Sequence, residues 1–408
     1  MGPSPLIGQG GFGGLGVTLG GRLVSTLTPV SADLAVFLFV VALRLGIPLL
    51  ILRYPLPAIL ASLVIDAADQ TIFQQFTDLN LDSYQSYDKS LDVYYLAIAF
   101  IATMRNWRHP VAVTVAFGLW YYRLVGVTLF ELTEWRPLLL IFPNTFEYFF
   151  IAIACVRIGW DSARLSARNV ITTAAAIWIF IKLPQEYWIH VAQRDVTDTL
   201  KEGFLGVDPS SSWGDAFANR PLVAAAMFAV VALAVVAAVV IWRRLPERDY
   251  PVTFASDKAI TSMSPEPSLS GPPRWHDGLV EKIVLVGLIF VIFSKSIPNA
   301  APSAIEILVG VAILVAAHAV VHAFVVGRSG EWRSVGTAFL GSLVINTAIW
   351  ALAAWLLPSD DDGSSRIATA FFLFLITLIV SLFDRYRPRR PALTLTLDDQ
   401  PGTRQRVG

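Results

Sequence analysis

The feature that most constrains this chain is a series of nearly uninterrupted apolar segments, each about 20 residues long. A helix of that length is enough to cross the hydrocarbon core of a bilayer. The 408 residues are 55% hydrophobic, and the mean hydropathy of +0.60 excludes an ordinary soluble protein. Because backbone polar groups in lipid must be bonded internally, helices are the expected form. The sequence therefore predicts an all-α, polytopic integral protein of the cell membrane.

Eleven segments meet this criterion, with boundaries that are soft by a few residues. They are residues 34–52, 56–76, 88–104, 110–130, 137–157, 169–191, 221–243, 279–299, 303–327, 334–357 and 366–384. The predicted organisation has five parts: a Gly-rich tail (1–32), a bundle of seven spans (33–243), a Pro/Ser-rich linker (244–278), a more apolar bundle of four spans (279–384) and a basic tail (385–408).

The distribution of basic residues predicts the orientation of these spans. Alternate loops and the C-terminal tail carry 20 Lys and Arg residues, whereas the loops on the other side carry 8. Loops rich in Lys and Arg stay in the cytoplasm. We therefore expect the N-terminal tail outside, the C-terminal tail inside and the linker in the cytoplasm.

Ionisable and amide side chains inside the spans are concentrated in the first six. The second to sixth spans place theirs between the mid-plane and the outer surface. A charge at the bilayer centre costs about 2.5–3.5 kcal/mol even on the insertion scale. We therefore expect these side chains to meet in one outward-opening polar pocket. They are Asp66, Asp69, Asp88, Lys89, Asp92, Arg123, Glu131, Asn144, Glu147, Lys182, Glu186 and His190.

Arg44 and Asp66 lie equally far from the first hairpin, on its two arms, so we expect a structural ion pair at one depth. Asp69 shares a helix face with Asp66 but has no obvious basic partner. That difference makes Asp69 the more interesting of the two aspartates.

The sequence does not identify a cofactor, and a divalent cation is the candidate for the polar pocket. Asp69, Asp88 and Asp92 are the candidate ligands. Carboxylates suit Mg²⁺, Mn²⁺ or Ca²⁺, and a mixed set with His190 suits Zn²⁺ or Mn²⁺. No segment has the tight spacing of a metal motif. The alternative for these acids is a salt-bridge network with Lys89, Arg123 and Lys182. A second pair, His318 and His322, could ligate a metal or haem, and the alternative is an interfacial pair satisfied by its neighbours.

Seven aromatic residues are predicted at the outer level of the membrane. An interfacial aromatic belt is the simplest interpretation. The alternative is a wall that grips a lipid or a sugar. The residues are Tyr84, Tyr87, Tyr94, Tyr95, Trp135, Tyr187 and Trp188.

The spacing D66-x-x-D69, followed after 18 residues by D88-x-x-x-D92, is similar to the four-aspartate signature of CDP-alcohol phosphatidyltransferases. The resemblance covers residues 34–191 and implies six membrane helices and a cytoplasmic nucleotide substrate. The chain departs from the signature at its two glycines, which are Gln70 and Tyr84 here, and at its Ala-Arg pair, which is Phe73-Gln74. The aspartates also face outward by the count of basic loops, so the chain is not assigned to that family.

Two functional classes fit this pattern best. The first is an enzyme, a transferase or hydrolase, acting at the outer leaflet on a lipid-linked or phosphate-bearing substrate. Asp69, Asp88 and Asp92 would be bases or metal ligands, and Glu186 or His190 the proton donor. The residues expected to bind the substrate are Arg123, Lys182, Glu147 and Asn144.

The second class is a proton- or cation-coupled transporter, in which the buried acids and His190 form the relay. The enzyme is slightly favoured because the charges lie on one side and in one half of the chain, without an internal repeat. A non-catalytic partner in a membrane assembly is a third hypothesis. The expected partners are the bilayer and a lipid or small-molecule substrate, with no nucleic acid.

Overall fold

The computed structural model describes residues 32–77, 84–192, 198–262, 279–297, 305–306, 309–316, 339–348, 351 and 363–387. All regular structure in these ranges is helical, which confirms the predicted all-α fold class. The two predicted tails, apart from Ala32 and residues 385–387, lie outside the described residues, as do His318 and His322.

Thirteen α-helices are numbered here along the described ranges. They are α1 (Ala32–Leu49), α2 (Pro55–Phe76), α3 (Tyr84–Asn106), α4 (Pro110–Thr133), α5 (Pro137–Ile141), α6 (Thr145–Val156), α7 (Ala167–Ala176), α8 (Leu183–Glu186), α9 (Trp213–Asn219), α10 (Pro221–Arg244), α11 (Ser256–Ser262), α12 (Leu279–Lys295) and α13 (Gly363–Tyr386). Residues 309–316 and Phe339–Ala348 are also helical.

Local sequence signals explain several of these boundaries. α2, α4, α5 and α10 each begin at a proline, whose fixed φ suits the first helical turn and whose missing N–H would be unpaired there anyway. The predicted span 137–157 is divided at Phe142–Asn144, so that α5 and α6 flank a short non-helical turn. This turn brings Asn144 into the interior of the bundle.

The predicted span 169–191 is continuously helical but irregular. Two π-helical segments, Ile177–Lys182 and Tyr187–Val191, precede and follow α8, which contains Pro184. Proline cannot donate an i to i−4 hydrogen bond, so wider turns around it are physically reasonable. Despite these wider turns, the helix directs three side chains toward one region of the bundle, as the ion pairs between Lys182, Glu186 and His190 show.

Four segments of the described chain are long and apolar enough to cross a membrane: Asp33–Leu52, Pro110–Thr133, Pro137–Val156 and Ala368–Tyr386. A fifth is possible if α9 and the start of α10, which meet at a bend of 108°, count as one span. α2 and α3 fall short because both carry aspartates and other polar residues at their facing ends. The structure thus supports a helical protein with several membrane-compatible helices, and the count of eleven stays a prediction.

The centre of the bundle is α3. Its stretch from Leu91 to Ala102 is almost entirely buried against α1, α2, α4, α6 and α13. α12 packs on α4 and on α13, and its residues share one continuous core with the first half of the chain. α12 and α13 of the second predicted bundle therefore share one apolar core with helices of the first.

The two ends of this bundle differ in charge. The basic end is formed by the turn at Arg53, the end of α3 at Arg105, and the segment Arg157–Arg164. Residues 245–262, called the strap below, belong to the predicted linker and are hydrogen-bonded across this end. The acidic end is the opposite one, where α2 ends and α3 begins.

Candidate functional site

Arg44 is the centre of a cluster formed by α1, α2 and α3. Its Nη1 contacts carboxylate oxygens of Asp69 and Asp88, and its Nη2 contacts Asp66. Asp92 lies 2.8 Å from the same Nη2. One guanidinium thus contacts four carboxylates and joins α1, α2 and α3.

The predicted contact between Arg44 and Asp66 is present. The expectation that Asp69 has no basic partner is wrong, because Asp69 contacts the same guanidinium. The side chains of Arg44 and Asp69 are only 3% exposed, whereas those of Asp88 and Asp92 are 39% and 41% exposed. The cluster is therefore dry around Arg44 and Asp69 and more open toward Asp66, which is 28% exposed, and toward the two aspartates of α3.

Three of the four carboxylates are close enough together to hold a cation. Asp66, Asp69 and Asp88 each offer one oxygen, and these oxygens lie within 4.8 Å of one another. The predicted ligand set was Asp69, Asp88 and Asp92. Carboxylates are suitable ligands for Mg²⁺ or Mn²⁺, but Arg44 contacts all of these groups, so a metal would have to share them with the guanidinium or displace it.

A second polar network connects α3 to the turn between α5 and α6. The hydroxyl of Tyr95 donates to Glu147, and Asn144 Nδ2 donates to the other oxygen of that carboxylate at 2.9 Å. Tyr95, Asn144 and Glu147 are all buried. Asn144 and Glu147, both predicted to bind substrate, are therefore in direct contact with each other.

The network continues into the irregular helix that contains α8. The backbone N–H of Asn144 donates to Glu186 Oε1 at 3.2 Å. The same carboxylate lies 3.4 Å from Lys182 Nζ and 3.0 Å from His190 Nε2. Lys182 also donates to Gln185 at 2.9 Å. Lys182 is thus largely engaged with its own helix, whereas His190 reaches the cavity described next.

A cavity of about 250 Å³ lies between α3, α4, the α5–α6 turn and His190. It is called the pocket below. Polar side chains on its walls come from both networks, and Lys89 and Glu131 form an ion pair of 3.2 Å beside it. The polar or aromatic residues that line it are Lys89, Asp92, Tyr95, Trp120, Arg123, Phe130, Glu131, Asn144 and His190. Since Asp92 also contacts Arg44, the pocket reaches the aspartate cluster.

Arg123 differs from the other cations of this region. Its Nη1 donates to the carbonyl oxygen of Phe142 at 3.0 Å. No carboxylate lies within ion-pair distance of it in the described ranges, where Glu131 pairs with Lys89, and Glu186 pairs with Lys182 and His190. The charge of Arg123 acts on Glu147 and Glu186 from a longer distance. The close approach of α4 to Phe142 fixes this geometry: a Cβ on Gly126 would lie 2.1 Å from Phe142 Cβ.

Two buried polar atoms of pocket-lining residues have no hydrogen-bond partner in the described structure. They are Trp120 Nε1, which is a donor, and Asn144 Oδ1, which is an acceptor. Trp120 is only 1% exposed, so the missing partner is not bulk solvent. Buried polar groups are normally satisfied, and a group bound in the pocket would supply the partners.

The sequence prediction did not include Trp120, and Tyr95 was assigned to the aromatic belt. That assignment is wrong for Tyr94 and Tyr95: both are buried, and the Tyr94 hydroxyl donates to the carbonyl of Leu45 at 2.9 Å. Trp135 and Tyr187 are more than half exposed, as belt residues would be. A run of three aromatics in α4, W120-Y-Y122, just before Arg123 was the available signal for Trp120.

The predicted site residues therefore form two contiguous groups that meet at Asp92 and the pocket. Asp66, Asp69, Asp88 and Asp92 surround Arg44, whereas Asn144, Glu147, Lys182, Glu186 and His190 form the second network. Comparison of the chain with known protein families, with curated proteins and with solved structures returned no match.

Proposed function

We propose that this protein is a membrane enzyme of the transferase or hydrolase class that binds a lipid-linked or phosphate-bearing substrate in the pocket. The observation that carries this proposal is the state of Arg123, a pocket-lining guanidinium with no carboxylate partner in the described structure. A partly dehydrated guanidinium is a strong ligand for phosphate, to which it donates two parallel hydrogen bonds.

The other polar groups of the pocket support a substrate that has more than a phosphate. The indole N–H of Trp120 can donate to a phosphate oxygen, and Asn144 Oδ1 can accept from a hydroxyl. The apolar walls, which include Val127 and Phe130, suit the first carbons of a lipid chain. In this proposal Arg123 is the main anchor and Lys182 acts indirectly, by holding Glu186 in place.

The proposed chemistry uses the two polar groups on either side of Arg123. His190, hydrogen-bonded to Glu186, would donate a proton to the leaving group. Asp92, which is 41% exposed, would accept one from the attacking hydroxyl or water. Asp66, Asp69 and Asp88 would hold Arg44, and with it the position of Asp92, or bind a divalent cation.

The membrane arrangement belongs to the same proposal. We retain eleven spans, with the N-terminus outside, the basic end in the cytoplasm and the pocket open to the outer leaflet. The basic residues on alternate loops support this orientation. The clustering of His190, Lys89 and Glu131 toward the acidic end is consistent with it.

Binding of a short-chain phosphatidic acid to the purified full chain in detergent tests this proposal. Because a charge-assisted hydrogen bond contributes about 1.5–3 kcal/mol, Arg123→Gln should weaken binding roughly tenfold to a hundredfold. Arg136→Gln is the matched control, since Arg136 is exposed at the start of α5. Equal affinities for the wild type and Arg123→Gln would reject the role of Arg123, and a matched neutral lipid should bind both proteins weakly.

A proton-coupled transporter is a second candidate because one observation favours it. A continuous series of hydrogen bonds runs from α3 to the irregular helix, through Tyr95, Glu147, Asn144, Glu186 and His190. All of these residues except Asn144 are titratable, and acidic and histidine side chains in series are typical of a proton path. Proteoliposomes with an imposed pH gradient separate the two functions: acidification that requires Glu147 and Glu186 supports transport, and turnover of a phosphate substrate without proton movement supports the enzyme.

A further inference from the structure

The strap is bound to the basic end of the bundle by backbone hydrogen bonds. The N–H of Asp249 donates to the carbonyl of Gly159 at 2.9 Å, and that of Thr253 donates to Ile158 at 2.9 Å. Ser256 N donates to the carbonyl of Arg53 at 2.8 Å. The strap therefore crosses from the segment after α6 to the turn between α1 and α2.

Side chains strengthen this attachment. Tyr250 is buried, and its single hydroxyl proton is shared between the carbonyls of Arg157, at 2.7 Å, and Trp160, at 3.0 Å. Arg105 contacts both Ser256, at 2.9 Å, and Asp257. Burial raises the pKa of Tyr250 to about 12, so the hydroxyl remains a donor at neutral pH. The strap is thus an ordered layer over the ends of α3 and α6.

Arg157 lies beneath this layer and is 5% exposed. Its Nε and Nη2 are buried and have no hydrogen-bond partner, and no carboxylate pairs with it within the described ranges. This distinguishes it from Arg105, which pairs with Asp257, and from Arg164, which pairs with Asp249. A buried guanidinium with two unpaired N–H groups is an unusual arrangement for a protein interior.

The charges around Arg157 compensate it only in part. Burial is the largest influence and lowers its pKa to about 10; the neighbouring Arg108 and Arg105 charges act in the same direction, whereas Tyr250 and Asp161 raise it. The group is still protonated at pH 7. A buried charge without a partner costs several kcal/mol, and nearby cations increase that cost. An anion beside Arg157 would remove most of it.

A small cavity adjoins this side chain. Its volume is about 20 Å³, enough for one water-sized particle, and the strap forms one of its walls. The polar residues that line it are Arg157, Thr253 and Ser256, and the remaining walls include Leu56, Ala154 and Ile158. The Ser256 hydroxyl is already bonded to the carbonyl of Leu52 at 3.0 Å. The space and the mostly apolar lining suit a monatomic, weakly hydrated anion better than a tetrahedral oxyanion.

We propose that this cavity binds one halide ion, with chloride as the physiological species, between Arg157 and the strap. The ion accepts hydrogen bonds from Nε and Nη2 of Arg157 and from the hydroxyl of Thr253, which would turn away from its 3.5 Å contact with the carbonyl of Ala255. It neutralises the buried charge and thereby keeps the strap closed on the basic end. The site is independent of the pocket and of the function proposed for it.

The test measures thermal unfolding of the full chain in detergent as chloride replaces gluconate at constant ionic strength. The melting temperature of the wild type should rise by about 2–4 °C and then saturate. Arg157→Gln should show no chloride dependence, while the matched control Arg168→Gln, an exposed arginine near the same end, should respond like the wild type. An unresponsive wild type, or an equal response of Arg157→Gln, would overturn the proposal.

Two additions keep the test decisive. If Arg157→Gln does not fold, Arg157→Lys keeps the charge but loses the two-pronged donor, and it should need at least five times more chloride for half of the effect. Amide hydrogen exchange of residues 246–262 should slow with chloride in the wild type. Unchanged exchange in the strap would contradict the claim that the ion holds it closed, and a larger Arg157-dependent shift with sulfate than with chloride would contradict a halide site.

Discussion

Arg44 and Arg123 lie in the same half of the bundle, yet their surroundings are opposite. Arg44 contacts four carboxylates, and its guanidinium is almost fully buried among them. Arg123 donates to a single carbonyl and lines an open cavity. An arginine that is surrounded by acids has little capacity left for a ligand anion, whereas Arg123 retains most of its donors.

This difference indicates that the polar region has two parts, one that stabilises the helix packing and one that we propose binds the substrate. The Arg44 cluster joins α1, α2 and α3 and supplies Asp92 to the pocket wall, so its first role is positional. In the described structure the pocket around Arg123 has an unpaired donor, Trp120 Nε1, and an unpaired acceptor, Asn144 Oδ1, so the role we propose for it is recognition. The following predictions examine whether the two roles can be separated experimentally.

The largest effect is expected for Arg44→Gln. Arg44→Gln removes the cation that contacts all four carboxylates, and breaking a buried ion pair costs about 3–5 kcal/mol. The melting temperature of the purified protein and its folded yield should both fall sharply. The control is Arg136→Gln, which should behave like the wild type. A melting temperature for Arg44→Gln within a degree of the wild type would show that the cluster does not hold the three helices together.

The next effect is expected for Gly126→Ala, which perturbs the site of Arg123 and leaves Arg44 untouched. The new Cβ would lie 2.1 Å from Phe142 Cβ, and overpacking of this kind costs about 1–3 kcal/mol. Displacement of Phe142 should also weaken binding of the phosphate ligand. Gly118→Ala, on the same helix with nothing within 4 Å of the added Cβ, should be neutral or slightly stabilising. Equal behaviour of the two variants would contradict the close packing at Phe142.

Divalent cations provide an intermediate effect. If Arg44 takes the place of a metal, millimolar Mn²⁺ should recover about 1–2 kcal/mol of the stability lost in Arg44→Gln and leave the wild type unchanged. The double variant Arg44→Gln/Asp69→Asn should lose this recovery, because it lacks one of the three clustered carboxylates. If Mn²⁺ stabilised the wild type by the same amount, the carboxylates would instead bind the metal and Arg44 at the same time.

The smallest effect is expected for Lys89→Gln beside the pocket. Lys89 is about half exposed and pairs with Glu131 at 3.2 Å, and exposed ion pairs contribute about 0–1 kcal/mol. Stability should change by less than 1 kcal/mol, and the affinity for the phosphate ligand by less than fivefold. A tenfold loss of affinity in a binding titration would place Lys89 in the recognition site with Arg123.

Much of this arrangement can be predicted from hydropathy and depth. The apolar segments predict the helices, and the counts of residues from the first hairpin predict that Arg44 and Asp66 meet. The i, i+4 spacing of Lys182, Glu186 and His190 places them on one helix face, where the structure shows their ion pairs. These features depend only on position along one helix or on one tight turn, so the sequence is sufficient for them.

The features that the sequence does not predict depend on how helices pack. Arg44 reaches Asp69, Asp88 and Asp92 because α3 lies beside α1 and α2, which no local pattern specifies. Tyr95 is buried rather than interfacial because α3 is central to the bundle, a position that its polar first turns conceal. Whether an N–H group is unpaired depends on the positions of all neighbouring acceptors. The unpaired N–H groups of Trp120 and Arg157 in the described structure therefore cannot be predicted from the sequence.

Cysteine accessibility in intact cells tests the central claim most directly, namely that the polar groups share one hydrated pocket opening to the outer face. Cys155 is the only cysteine, so Cys155→Ser provides a background in which Val127→Cys reports on the pocket and Val230→Cys, on the apolar surface of α10, serves as the control. A charged, membrane-impermeant thiol reagent added outside should modify Val127→Cys but not Val230→Cys, and a bound lipid phosphate should slow the reaction. Modification of Val127→Cys only after permeabilisation, or not at all, would contradict the account.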